Sequence, residues 1–209
     1  MILLKEYIKN PCRSSSIPYW KQRTIKVPDN IKIVHNDEYN VADFNGYIDE
    51  PYFRLYHDLQ SVQRIERNDI DIVVVTDDMM DTVVDIINKS YNDLSVTKEQ
   101  MESYMQTPVY CSDLWILLKD KSGTYVACGI ADYDKEANEM ILEWIQVIPS
   151  CRGRGYGQYI VNELLSRAQG QAKFATVSGK VNNATLPEKL YRKCGFTGND
   201  VWHILCENE

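Results

Sequence analysis

Glycine and arginine alternate in the run Arg-Gly-Arg-Gly-Tyr-Gly, from Arg152 to Gly157. Glycine lets a backbone turn tightly and approach a ligand with no Cβ in the way. Successive backbone N–H groups, followed by the N-terminus of a helix, present positive potential to phosphate oxygens. The two arginines add mobile or fixed charge. This spacing predicts an anion-binding loop, for which a diphosphate is a natural ligand.

Other glycine-rich phosphate loops have different sequences. A Walker A loop ends in Gly-Lys-Ser/Thr, which is absent here, and a dinucleotide fingerprint needs GxGxxG, whereas Gly157 is followed by Gln-Tyr-Ile. One RGRG run between an apolar strand and an apolar-faced helix is a poor match for a disordered RNA-binding tract. From the loop alone, a turn that merely connects two elements remains an open alternative.

Cysteine and histidine offer little further chemistry. The six cysteines and three histidines form neither a CxxC pair nor a metal-ligand spacing, so we expect no metal site. Cys151 and Cys194 have no histidine close in sequence to activate a thiolate. We interpret both as small buried hydrophobic residues, and the histidines as structural.

The composition sets the class of protein. The chain has 209 residues, of which 44% are hydrophobic and 25% charged, and its net charge is −7. No apolar stretch is long enough for a membrane helix, and the start of the chain lacks the features of a secretory signal. The acidic balance disfavours nucleic acid and favours a cationic partner. We expect a cytoplasmic protein with reduced thiols and no membrane partner.

The elements around the loop follow from periodicity. Apolar runs and helical spacing predict the order βααβββαβαβ from Ile70 onward. The predicted strands are 70–76, 114–119, 125–132, 140–148, 174–178 and 201–206. The predicted helices are 79–91, a short helix that Ser95 or Thr97 can cap and that runs through Met105, 156–168 and 187–193. This order indicates a mixed α/β fold with helices on both faces of the sheet.

The first 68 residues are harder to interpret. They are rich in proline and in aromatic pairs, with too many large apolar groups for a free linker. We expect irregular structure with short strands at Thr24–Val27 and Ile31–Val34. The predicted domains are therefore 1–68, an extension packed on the main domain, and 69–209, the main domain.

The motif Arg-x-x-Gly-x-Gly at 152–157 follows the strand residues IQVIP and precedes LYRKCGF at 190–196. Together these resemble the signature of the GNAT N-acetyltransferase superfamily over residues 69–206. The resemblance implies a central sheet that splays between two adjacent parallel strands, 140–148 and 174–178. It also implies acetyl-CoA as the acyl donor and a primary amine as the acceptor, by direct attack through a tetrahedral intermediate.

The resemblance assigns roles to particular residues. The backbones of Ile145 and Val147 would pair with the pantetheine arm, and the Val147 N–H would donate to the thioester carbonyl. Tyr191 would act as general acid toward the leaving thiolate, and Glu143, by strand alternation on the same face as residues 145 and 147, as general base. Asn183 would contact the cofactor arm, although a capping or turn role stays open. The diphosphate would bind the loop residues Arg152, Gly153, Arg154, Gly155, Tyr156 and Gly157.

Two functions of different classes fit these features. One is an N-acetyltransferase acting on an amine-bearing small molecule or peptide, with dimer formation as an expectation from the family. The alternative is a non-catalytic sensor that binds acyl-CoA. The tyrosine and the strand glutamate favour the enzyme, because a sensor needs neither. The sequence leaves open the acceptor, the role of residues 1–68, the oligomeric state, and whether Glu143 or a water chain is the base.

Overall fold

A computed structural model describes residues 2–91 and 94–208. The chain divides into two compact units. The terminal unit combines Met1–His57 with Thr176–Glu209, and the central unit is Asp58–Ala175. The predicted division into domains 1–68 and 69–209 stays a prediction. The two compact units are divided at other positions, between residues 57 and 58 and between residues 175 and 176.

The predicted order of elements from Ile70 onward is confirmed. Among the described residues the α-helices are α1 Leu4–Lys9, α2 Pro11–Ser14, α3 Met80–Ser90, α4 Lys98–Met105, α5 Tyr156–Ala168 and α6 Pro187–Lys193. The strands are β1 Ile31–His35, β2 Tyr47–His57, β3 Ile70–Val74, β4 Trp115–Asp120, β5 Tyr125–Asp134, β6 Glu139–Val147, β7 Phe174–Lys180 and β8 Thr197–Glu207. The chain is therefore of the predicted mixed α/β class.

In the central unit, β3, β4, β5 and β6 pair with their sequence neighbours in antiparallel order. One face of this sheet packs against α3 and α4. Its buried core includes Ile86 and Met101 from the helices and Trp115, Leu117 and Ile130 from the strands. Burial of these apolar side chains is the main source of stability for the unit.

The opposite face of the central sheet carries α5, and a glycine sets how closely this helix approaches. A Cβ placed on Gly129 of β5 would lie 2.2 Å from Cγ2 of Ile160 and 3.2 Å from Cδ1 of Leu164. Both helix residues are fully buried. The missing side chain at Gly129 thus lets α5 lie directly on the sheet, which fixes the position of its N-terminus.

In the terminal unit, β8 pairs in antiparallel register with both β1 and β2. The predicted strand at Ile31–Val34 is confirmed, whereas the strand predicted at Thr24–Val27 is wrong, because residues 25–28 have no regular structure. The prediction of irregular structure also missed β2. Proline at position 51 argues against a strand from sequence, but Pro51 pairs with His203 and its carbonyl accepts from the Val181 N–H at 3.0 Å.

No helix within residues 2–91 and 94–208 is both long and apolar enough to span a bilayer.

Candidate functional site

The predicted anion-binding loop connects β6 to α5. After β6 the chain makes a short 3₁₀ turn at Pro149–Cys151, and α5 begins at Tyr156. Gly153 and Gly155 have φ angles of +78° and +80°, in the left-handed region. A residue with a Cβ is strained there, so this path of the backbone requires glycine at both positions.

The N-terminus of α5 gives the loop its positive potential. Gly155 is the residue that precedes the helix, and its carbonyl accepts the N–H of Tyr159 at 3.0 Å. The N–H groups of the first turn have no acceptor within a helix and carry the positive end of its dipole. No acidic residue lies in this first turn, and a Cβ on Gly153 would meet no atom of the described residues within 4 Å. The loop therefore leaves room beside Gly153 for a diphosphate, and the first turn of α5 contributes no carboxylate that would repel it.

The backbone polar groups of β6 point alternately toward β5 and away from it. The Ile148 N–H donates to the carbonyl of Val126 at 3.0 Å, and Val147 is opposite Ala127 in the register with β5. Because hydrogen-bonding groups alternate along an antiparallel pair, the polar backbone groups of Ile145 and Val147 point away from β5. This direction is the one that pairing with an extended ligand needs. The pairing itself stays a prediction.

Arg152 is held in place by protein carbonyls. Its Nε donates to the carbonyl of Val147 at 3.2 Å, and its Nη2 donates to the carbonyl of Ser90, at the end of α3, at 2.8 Å. Arg154 makes a longer bond, from Nη2 to the Ser150 carbonyl at 3.4 Å. The loop arginines were expected to carry either mobile or fixed charge, and the charge of Arg152 is fixed by these two bonds. Arg152 also joins the start of the loop to α3.

Arg67 and Asp69 contact the loop from outside, and no motif or spacing in the sequence marks them. The Arg67 Nε and Nη2 donate to the two carboxylate oxygens of Asp69 at 2.9 and 2.7 Å, and Nη1 donates to the Arg154 carbonyl at 3.0 Å. The guanidinium also lies over the ring of Tyr156, 4.8 Å from its centroid. Hydrogen bonding to Arg67 lowers the pKa of Asp69 and raises that of Arg67.

Glu143, the predicted base, lies at a β-bulge. The register passes from Leu142 opposite Ala131 to Trp144 opposite Ile130, which leaves Glu143 as the extra residue. A bulge interrupts alternation, so the strict period of two that placed Glu143 on the face of residues 145 and 147 does not apply here. Trp144 packs against the core beneath α3 and α4. A role for Glu143 as base stays a prediction.

Tyr191 and Asn183 belong to the terminal unit. Tyr191 on α6 is only 7% exposed and packs between Phe196 and Phe53, with ring centroids at 5.9 and 6.2 Å. The Asn183 Oδ1 accepts from the Thr185 N–H at 2.9 Å and from the Thr185 hydroxyl at 2.7 Å. This arrangement matches the turn role that was left open for Asn183. The catalytic role of Tyr191 stays a prediction.

Comparisons with known proteins agree with the fold and the loop. Residues 111–198 match the model of the GNAT acetyltransferase domain. No curated protein sequence matches the chain.

Many solved structures share the fold. A GCN5-related N-acetyltransferase from Sphaerobacter thermophilus is 16% identical with a TM-score of 0.69, over 88% of this chain and 62% of that one. The ribosomal-protein-S18-alanine N-acetyltransferase of Escherichia coli is 16% identical with a TM-score of 0.52, over 67% and 95%. A glucosamine N-acetyltransferase region of a fungal β-N-acetylglucosaminidase is 13% identical with a TM-score of 0.61, over 79% and 22%. The chain thus spans under two thirds of the length of some of these neighbours.

The fold is shared with solved structures of N-acetyltransferases. The matched region of this chain contains both the loop and the LYRKCGF stretch. Residues 111–198 are thus similar to the GNAT acetyltransferase domain, as the sequence motifs predict.

Proposed function

We propose that the protein transfers an acetyl group from acetyl-CoA to a primary amine. The observation that carries this proposal is the loop between β6 and α5. Two left-handed glycines and the N-terminus of a 13-residue helix follow β6 along the chain. In β6 the backbone polar groups of Ile145 and Val147 point away from β5. This set of donors suits a ligand that combines a diphosphate with an extended amide arm, as coenzyme A does.

The residues in and beside the loop would divide the work of binding. N–H groups from Gly155 to Gly157 would hold the diphosphate, and the backbones of Ile145 and Val147 would pair with the amide arm. The N–H of Val147 would also donate to the acyl oxygen, where negative charge develops during attack. Acetyl-CoA itself supplies an activated acyl group on a thiol that leaves readily.

Proton transfers complete the proposed reaction. An amine is mostly protonated near neutral pH and must lose a proton before it attacks, and Glu143 would accept this proton directly or through water. The departing thiolate would take a proton from the hydroxyl of Tyr191, which then recovers one from solvent. The amine nitrogen would attack the acyl carbon directly, so no acyl-enzyme forms.

The acceptor is open within the class of amines. Two structural neighbours are described by different acceptors, a protein alanine in one and glucosamine in the other, so the shared fold fits more than one kind of amine. An acidic chain with a net charge of −7 favours a cationic acceptor. A cytoplasmic location and a homodimer are further proposals, made from cysteine usage and from the family.

A thiol-release assay with acetyl-CoA tests the proposal against a panel of amines. The panel should contain polyamines, amino sugars, lysine derivatives and peptides with free N-termini. We expect turnover with at least one class and tight binding of coenzyme A by calorimetry. Binding without turnover over the whole panel would support the acyl-CoA sensor instead. Absence of coenzyme A binding would refute both functions.

A further inference from the structure

Arg67 touches the proposed diphosphate loop at two points, although it lies 85 residues earlier than Arg152 in the sequence. Its Nη1 donates to the carbonyl of Arg154, and its guanidinium covers the ring of Tyr156. We propose that Arg67 is a positioning residue that holds the Arg154–Gly155 peptide in the orientation that binds a diphosphate. This inference rests on the proposed function.

Peptide geometry explains how a bond to a carbonyl can orient a donor. In a planar trans peptide the C=O and the following N–H point in opposite directions. The carbonyl of Arg154 is directed toward Arg67, so the N–H of Gly155 is directed away from it. With Gly155 at φ +80°, this N–H and the first N–H groups of α5 follow one another around the same bend. Such a succession of N–H groups forms a concave anion site.

The contacts of Arg67 fit a structural brace better than a direct phosphate ligand. Two of its nitrogens are bound to Asp69 and the third to Arg154. The carboxylate of Asp69 offsets its charge, and only 21% of its side chain is exposed. A guanidinium in this state contributes geometry to the loop and little net potential to a ligand.

The brace also requires arginine rather than any cation. A planar guanidinium can bind a carboxylate through two nitrogens, donate to a carbonyl with a third and stack on a ring at once. A lysine ammonium has a compact charge and cannot span these partners. If Arg67 acted by charge alone, lysine would replace it, and if it acts as a brace, lysine would fail nearly as badly as alanine.

Arg167, which lies on α5, provides a matched control for Arg67. Its Nε binds Glu163 at 2.7 Å and its Nη1 donates to the carbonyl of Asp113 at 2.9 Å, and its side chain is 25% exposed. Like Arg67 it binds one carboxylate and one backbone carbonyl, but it does so near the C-terminal end of α5. Loss of Arg167 should perturb the fold about as much without touching the loop.

Titration calorimetry with acetyl-CoA would test the proposal on the full chain in four proteins: wild type, Arg67→Ala, Arg67→Lys and Arg167→Ala. We expect the dissociation constant to rise roughly tenfold in both Arg67 variants, the effect of about one lost hydrogen bond. Arg167→Ala should bind as the wild type does. With an acceptor amine that the thiol-release assay identifies, the KM for acetyl-CoA should rise in both Arg67 variants while kcat changes little.

A ligand series distinguishes the brace from a direct contact. Dephospho-CoA lacks the 3′-phosphate, and pantetheine lacks the diphosphate as well. The tenfold loss should persist with dephospho-CoA and disappear with pantetheine. A loss that disappears with dephospho-CoA, or that is rescued by lysine, would overturn the positioning role in favour of a charge contact.

Further outcomes separate the inference from the proposed function. Unchanged affinity in folded Arg67→Ala, beside a wild type that binds acetyl-CoA, would refute the inference alone. A wild type that does not bind would refute the proposed function and the inference with it. If Arg67→Ala does not fold, Asp69→Asn serves instead, since it keeps an acceptor for Arg67 but removes the charge. It should weaken binding by a smaller factor, and unchanged binding would count against the brace.

Discussion

Replacing Gly155 by valine tests whether the left-handed conformation of the loop is needed to bind a diphosphate. Gly155 has φ +80°, and the left-handed region costs a residue with a Cβ about 1–2 kcal/mol, with β-branched residues rarely found there at all. A Cβ at this position would also lie 3.3 Å from Nη1 of Arg67. Valine should therefore move the backbone to negative φ and turn the nearby N–H groups away from the anion site.

The strain reappears when the ligand binds. A relaxed loop must return to positive φ to hold a diphosphate, so the dissociation constant for acetyl-CoA should rise by at least the strain energy. An energy of about 1–2 kcal/mol corresponds to roughly 5–30-fold. Calorimetric titration of folded Gly155→Val with acetyl-CoA measures this factor directly.

Gly170 supplies the matched control. Gly170 has φ +81° and follows α5. A Cβ added to it would lie more than 4 Å from every atom of residues 2–91 and 94–208 outside its immediate neighbours. Gly170→Val should lose stability to urea for the same backbone reason and yet bind acetyl-CoA as the wild type does. Unchanged affinity in a folded Gly155→Val protein would refute the placement of the diphosphate at this loop.

Three further predictions concern the acid, the seating of α5 and a buried thiol. Tyr191→Phe keeps the ring packing but removes the hydroxyl, so steady-state kinetics should show a lower kcat at similar KM for acetyl-CoA; equal kcat would exclude Tyr191 as acid. Gly129→Ala should cost about 1–3 kcal/mol by overpacking against Ile160, and urea unfolding should show less than additive loss when Ile160→Ala is added. Burial raises the pKa of Cys128 from 9.0 to about 12, so the folded state keeps a proton that the unfolded state loses. The free energy of unfolding should then fall above pH 9, by up to about 1.4 kcal/mol per pH unit, and a Cys128→Ala variant with an equal slope would contradict this assignment.

Local patterns predicted the elements that carry the loop. Helix α5 begins and ends at the predicted residues, as does α6, because amphipathic spacing and a glycine or proline at the start are properties of neighbouring residues. The loop between β6 and α5 was predictable for the same reason. Its glycines at 153 and 155 occupy left-handed conformations that no other residue adopts as easily.

Long-range pairing accounts for what the sequence did not predict. The segment that forms β2 contains Pro51 and was predicted to be irregular. It forms a strand because it pairs with β8, a segment far along the chain. The bulge at Glu143 arises because β5 has no residue opposite it. The sequence of β6 alone does not show this, since the bulge depends on the pairing of both strands. The contact of Arg67 with the loop likewise joins two positions 87 residues apart, and no local spacing marks it.

These contacts change the physical picture of how the loop attracts an anion. From sequence, Arg152 and Arg154 look like the source of its positive charge, but Arg152 is bound to the carbonyls of Val147 and Ser90. Arg67, the other guanidinium beside the loop, is paired with Asp69. Of these two guanidiniums Arg67 is neutralised by a carboxylate, whereas Arg152 keeps a fixed charge beside the loop. We therefore expect the oriented backbone N–H groups and the end of α5 to supply much of the attraction for a diphosphate, with the arginines also holding that backbone in position. It follows that conformation at Gly155 should matter more for affinity than the total charge nearby.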